Sequence, residues 1–112
     1  MERLLHHKDN GESATIKNNI IQARLIQAQR FRQTPICTNN EMGLREIKQY
    51  CGLSASSETI LAQAEKQFLL SPRAVHRILR VSRTIADLNG SAQINDKHLA
   101  EALQYRESNP AV

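Results

Sequence analysis

The segment Ser71-Pro-Arg-Ala-Val-His-Arg-Ile-Leu-Arg-Val-Ser-Arg-Thr-Ile-Ala-Asp-Leu88 constrains the fold more than any other stretch of this chain. Ser71 carries the side chain of a helix N-cap, and Pro72 follows at the one position where a missing N–H costs nothing. At about 100° per residue, Arg73, His76, Arg77, Arg80, Arg83, Thr84 and Asp87 fall within one arc of roughly 120°. Ala74, Val75, Ile78, Leu79, Val81, Ser82, Ile85, Ala86 and Leu88 fill the opposite half. So complete an apolar half has to be buried. The arginine-bearing face is therefore expected to point outward, towards a partner or solvent.

The rest of the chain reads as further helices around this one. Its 112 residues fit one domain with a modest core. Tryptophan is absent and aromatic residues make up 4%, so Leu, Ile, Val and Ala must form that core. Gly and Pro number 4 and 3, too few for a protein of strands and turns. Residues 1–12 are expected to form a flexible lead-in. Ser13 is a plausible cap for a first helix over 13–33, with Ile16, Ile20, Ala23, Gln27 and Phe31 on one narrow stripe. That stripe is expected to be only half covered within the chain, and Thr34-Pro35 stops the helix. A short helix over 41–50, capped by Asn39 or Asn40, should turn Met42, Leu44, Ile47 and Cys51 inward, with Gly52 as its break. Ser54 or Ser56 caps a third helix to Phe68, with Ile60, Leu61, Ala64 and Phe68 inside. Asn89-Gly90 ends the arginine helix, Asn95 caps a fifth to Arg106, and residues 107–112 read as a loose tail. The expected class is all-α: five helices, with a compact bundle over 34–106 preceded by the longer first helix.

Several chemistries have no residues to carry them. The chain contains no phosphate-binding GxxxxGK[ST] loop, no GxSxG and no HExxH, and its acids are scattered singly. No catalytic residue and no metal ligand is assigned; His6 and His7 lie in the lead-in, and His76 and His98 are expected at exposed or rim positions. Cys37 and Cys51 do not form a CxxC and are expected to be reduced and partly buried. No apolar run is long enough to span a membrane, and no signal peptide is recognisable, so a cytoplasmic location is expected. The net charge of +4 favours an anionic partner, whether nucleic acid or nucleotide phosphate.

Four stretches together resemble the C-terminal domain of magnesium chelatase-like AAA+ ATPases, in the branch of the competence protein ComM group. They are Leu70-Ser71-Pro72-Arg73-Ala74 with Arg77 to Leu88 and Gly90, Ala23 to Arg30, Tyr50-Cys51-Gly52-Leu53, and His98 to Arg106. The resemblance covers residues 11–106. It implies a helical lid that sits on a nucleotide-binding core, with the first helix linking to that core. It also implies that Arg73 is the sensor 2 arginine, which approaches the phosphates of ATP. A guanidinium in a helix's first turn can grip phosphate oxygens with two donors, and its unfavourable place at the positive helix end makes sense if an anion is its partner. Pro72 stands where the family often has Ala or Val, a change tolerated at that position.

The resemblance implies ATP and magnesium for the full-length parent, with none expected on the isolated chain. It implies as partners the parent's own core and neighbouring subunits of a ring (hexameric in expectation), with DNA as a further candidate. Arg77, Arg80 and Arg83 are either a solvated side, with Arg83 and Asp87 a weak i,i+4 pair, or contacts to a neighbouring subunit or to nucleic acid. Arg24 and Arg30 are expected to pack on the core rather than act in catalysis. A stand-alone basic helical module binding DNA or protein is the competing reading.

Overall fold

A computed structural model describes residues 2–108, with side-chain environments for residues 15–106. Five α-helices are seen among the described residues: α1 Glu2–Arg30, α2 Leu44–Tyr50, α3 Ala55–Phe68, α4 Pro72–Leu88 and α5 Asp96–Ser108. A 3-10 turn, Asn39–Glu41, precedes α2. One isolated parallel bridge, Leu53 to Ile94, ties the loop before α3 to the loop before α5.

The starts of α3, α4 and α5 fall where the sequence places them. Ser54 Oγ accepts from Ser57 N–H, and Ser71 Oγ accepts from Ala74 N–H, so α3 and α4 begin at their expected caps. Asn95 Oδ1 accepts from the backbone of Lys97 and His98, which opens α5. His98 completes the cap, because its Nδ1 accepts the Asn95 N–H at 3.1 Å. It does for the N-cap backbone what Glu or Gln does in a capping box. His98 is 3% exposed, not a rim residue.

Other boundaries differ from expectation. Helix α1 runs through Asn10, Gly11 and Ser13, so 2–12 is helical in backbone and Ser13 lies inside the helix rather than at its start; the helix ends at Arg30 rather than Gln33. The expected helix over 41–50 breaks at Met42-Gly43. Gly43 serves as the N-cap of α2, with Glu46 Oε1 accepting its N–H at 2.8 Å. The break turns Leu44 outward, 55% exposed, while Met42, Ile47 and Cys51 face in as expected. Helix α5 takes in Glu107 and Ser108 from the expected loose tail; 109–112 and Met1 lie outside the described residues.

The core has two lobes, and α4 supplies both. Ala86 packs with Phe31, Met42, Ile47, Cys51 and Ile94; Ile78 and Ile85 pack with Leu61, Leu99 and Ala102. Phe31 meets Tyr50 edge to face at 5.6 Å between ring centroids. Asp96 joins α5 to α3 by accepting from Ser56 and Ser57, which holds its carboxyl below the usual carboxylate range. Both cysteines are free, but Cys37 is exposed rather than partly buried. Burial pushes the Cys51 thiol up to about 11, which nearby arginines only partly oppose, so it is inert at neutral pH.

The start of α1 stands apart. Residues 15–22 are all exposed, although Ile16 and Ile20 continue the face on which Ala23 and Phe31 are buried. The bundle simply does not extend that far along the helix.

Two predictions follow from these ends. Leu69 closes α3 in the left-handed region, φ 53°, while 88% exposed. A Cβ-bearing residue is strained there and buries nothing in return. Leu69→Gly should therefore raise unfolding stability by about 0.5–1 kcal/mol, read by urea denaturation. Burial first, then the charge of Arg83, hold the His98 pKa below its ordinary 6.5. The unfolded chain thus binds a proton that the folded chain resists, so stability is full above pH 6.5 and falls as pH drops towards the lower folded value. His98→Gln should flatten that decline in denaturation curves taken between about pH 7.5 and pH 5.

Candidate functional site

Helix α4 gives its arginines two different environments. At its start, Arg73 and Arg77 are exposed and Arg80 is half-buried. With Ser71 and Ala74 they line a shallow depression of about 350 Å³, with no carboxylate among the described residues that line it. The first turn offers this depression little from its backbone. Pro72 has no N–H, the Ala74 N–H is taken by Ser71 Oγ, and the Val75 N–H by the Ser71 carbonyl. What this end presents to an anion is guanidinium.

Arg80 lies deepest of the three. Its Nη1 donates to the Met42 carbonyl at 3.3 Å, a long contact. Its Nε is buried and has no hydrogen-bond partner among the described residues.

At the other end the supposed outward face turns inward. Asp87 is 1% exposed and Arg83 4%. Arg30 grips Asp87 with two donors, Nη1 to Oδ2 and Nη2 to Oδ1, both at 2.8 Å. Asn39 accepts from Arg30 at 2.8 Å, and its Nδ2 donates to Asp87 at 2.7 Å and to Thr84 Oγ1 at 3.2 Å. Arg83 pairs with Asp87 at 3.1 Å and donates to the carbonyls of Ser91 and Ala92 at 2.7 and 3.1 Å. Burial alone would push the Asp87 carboxyl up. Hydrogen bonds from Arg30 and Asn39, with the charges of Arg30 and Arg83, win and hold it below the usual carboxylate range.

Two expectations are corrected by this geometry. Arg83 is neither a solvated residue nor placed to reach a subunit or nucleic acid; it closes the α4–α5 loop from within. Arg30 packs on the bundle's own Asp87 rather than on an absent core, its guanidinium lying 5.8 Å from the Tyr50 ring centroid. Arg24 is exposed. The Arg30–Asn39–Asp87 cluster was not read from the sequence. Its one signal was that Asp87 is the sole acid on α4, set on a strip of arginines. Among the described residues, no group of three or more His, Cys, Asp or Glu could hold a metal, and no helix is long and apolar enough to cross a membrane.

Fold and site together define a small all-α domain that presents arginines from the first turns of its central helix. The family model described as magnesium chelatase, subunit ChlI C-terminal, matches residues 10–106, and the chain belongs to that family. It is 43% identical over 99 residues to competence protein ComM of Haemophilus influenzae, covering 88% of this chain and 19% of that protein. It is 38% identical over 104 residues to the uncharacterized protein YifB of Salmonella typhimurium, covering 92% and 20%. YifB of Escherichia coli is also 38% identical, over 94 residues, covering 84% and 18%. The chain thus spans about a fifth of the length of these relatives. No solved structure gives a significant match.

The buried cluster makes a stability prediction. Asp87→Ala would leave two guanidiniums in the interior without their counter-charge, and should cost about 3–5 kcal/mol in urea denaturation. Arg73→Ala, on the exposed end of the same helix, should stay within about 0.5 kcal/mol of wild type.

Proposed function

We propose that this chain is the C-terminal helical lid of a magnesium chelatase-like AAA+ ATPase, and that Arg73 is its sensor 2 residue. The observation that carries this reading is the exposed Arg73 in the first turn of α4, lining one depression with Arg77 and Arg80. Guanidiniums gathered at one depression favour an anion with several oxygens, which a phosphate chain supplies. The depression and its unpartnered Arg80 donor fit a phosphate chain.

In the parent, the core domain would hold ATP and magnesium, and magnesium would offset phosphate charge there. The residues of this chain contribute binding and orientation. Arg73 supplies a two-donor contact to phosphate oxygens, and α4 carries any shift at that contact to the rest of the lid. The face of α1 bearing Ile16 and Ile20, exposed beyond the bundle, suits burial against the parent's core or a neighbouring subunit of a ring, which we take as hexameric. We take the parent's work to be DNA processing in the cytoplasm, a reading supported by the likeness to a protein named for competence. The stand-alone DNA-binding reading is weaker, because Arg83 and Asp87 are withdrawn from the surface such a recognition helix would need.

The test is ATP turnover by the full-length protein with Arg73→Ala, beside wild type, with nucleotide binding measured separately. Turnover should fall by about tenfold or more with folding intact, equivalent to at least roughly 1.4 kcal/mol of transition-state contact. Unchanged turnover would remove Arg73 from the mechanism.

A further inference from the structure

We infer that Arg80 is a second phosphate ligand of the depression beside Arg73, set deeper than Arg73 and held ready by the Met42 carbonyl. The inference rests on the reading that Arg73 meets phosphate, and it assigns to that site a residue which the sequence left between solvent, subunit and nucleic acid.

Three observations carry it. Arg73 and Arg80 are seven residues apart, about 10 Å of helix rise, yet both line one depression with Arg77 between them. Arg80 is poorly satisfied where it lies. Its bond to the Met42 carbonyl is long at 3.3 Å, and its Nε–H is buried without an acceptor among the described residues, an arrangement that costs free energy. Rotating the guanidinium onto a phosphate oxygen would give that donor a charged acceptor. The base of the side chain is also fixed, because the Arg80 carbonyl accepts from Thr84 Oγ1 at 3.1 Å, and Thr84 in turn accepts from the buried Asn39. Arg80 thus combines an anchored backbone with a loosely held head, as suits a residue that changes partner.

A volume of about 350 Å³ accommodates a phosphate chain. A nucleic-acid backbone needs an extended groove, and the strip ends where Thr84 and Asp87 join the internal cluster. The ligand favoured is therefore the phosphate chain of a nucleotide.

Inorganic tripolyphosphate is the probe, titrated into the 112-residue chain while the arginine Nε–H signals are followed by NMR. The Arg73 and Arg80 signals should move together and saturate in the millimolar range. Arg73→Ala and Arg80→Gln should each weaken binding by about five- to tenfold. If Arg73→Ala weakens binding and Arg80→Gln does not, the inference about Arg80 fails while the reading of Arg73 stands. If neither variant weakens it, or no signal saturates, the inference about Arg80 fails, and the reading of Arg73 is decided by turnover of the full-length protein. A short DNA duplex that moves these signals where tripolyphosphate does not would overturn the choice of ligand. Should Arg80→Gln not fold, the wild-type Arg80 Nε–H decides: movement with the probe supports the inference, and a signal that stays still while that of Arg73 moves sinks it.

Discussion

The carboxylate of Asp87 is the point on which this structure hangs. It lies in the last turn of α4, where the negative end of the helix disfavours an acid, and it is buried as well. Both penalties are met by partners from three places in the chain. Arg30 comes from the end of α1, Asn39 from the 3-10 turn, and Arg83 from one turn earlier on α4. Asn39 has the most demanding role, since it accepts from Arg30, donates to Asp87 and Thr84, and has its own N–H taken by Gln27. A buried ion cluster of this kind is poor evidence of added stability, because apolar side chains of equal volume often serve as well. What it supplies here is a single relative placement. Only one rotation and height of α1 against α4 lets Arg30 meet Asp87 with two donors while Asn39 closes the third side.

That placement explains what the sequence reveals and what it hides. The starts of α3, α4 and α5 are legible because Ser54, Ser71-Pro72 and Asn95 act within three residues of themselves. The buried half of α4 is legible because helical period alone decides which side chains share a face. The fate of the opposite half is not, because a helical wheel gives a direction and not what lies in that direction. Arg83 and Asp87 point the same way as Arg73, but α1 and the loop after α4 cover only that end. The break at Met42-Gly43 is hidden for a related reason: Met42 is drawn into the core with Phe31, and Gly43 can follow by capping α2. Leu44, apolar and in phase, is then left outside.

The family assignment rests on residues of both kinds. Arg30 and Asp87, which lie in two of the stretches that carry the resemblance, prove to be partners in the buried cluster. Their part is to hold α1 to the bundle, and nothing in the geometry asks them to touch a ligand. Arg73 lies in the same stretch as Asp87 but makes no comparable internal contact. A shared sequence pattern therefore mixes residues that build the domain with residues that face outward, and only burial separates them.

Seen along its length, α4 is a graded strip rather than a uniform basic face. Arg73 is exposed, Arg80 is half held by Met42, Thr84 bonds both the Arg80 carbonyl and Asn39, and Asp87 is locked to Arg30. The gradient runs about 21 Å from the loosest residue to the tightest. A perturbation at the Arg73 end meets side chains that can rearrange. By the Asp87 end it meets a cluster in which Arg30, Asn39 and Arg83 would have to move together, at a cost of several kcal/mol. Motion that begins at the open end is thus absorbed first at Arg80 and the Met42-Gly43 elbow. Beyond them, the Arg30–Asn39–Asp87 cluster ties α1 to α4 as one body, which is the mechanical property that the lid proposed above would require of its central helix.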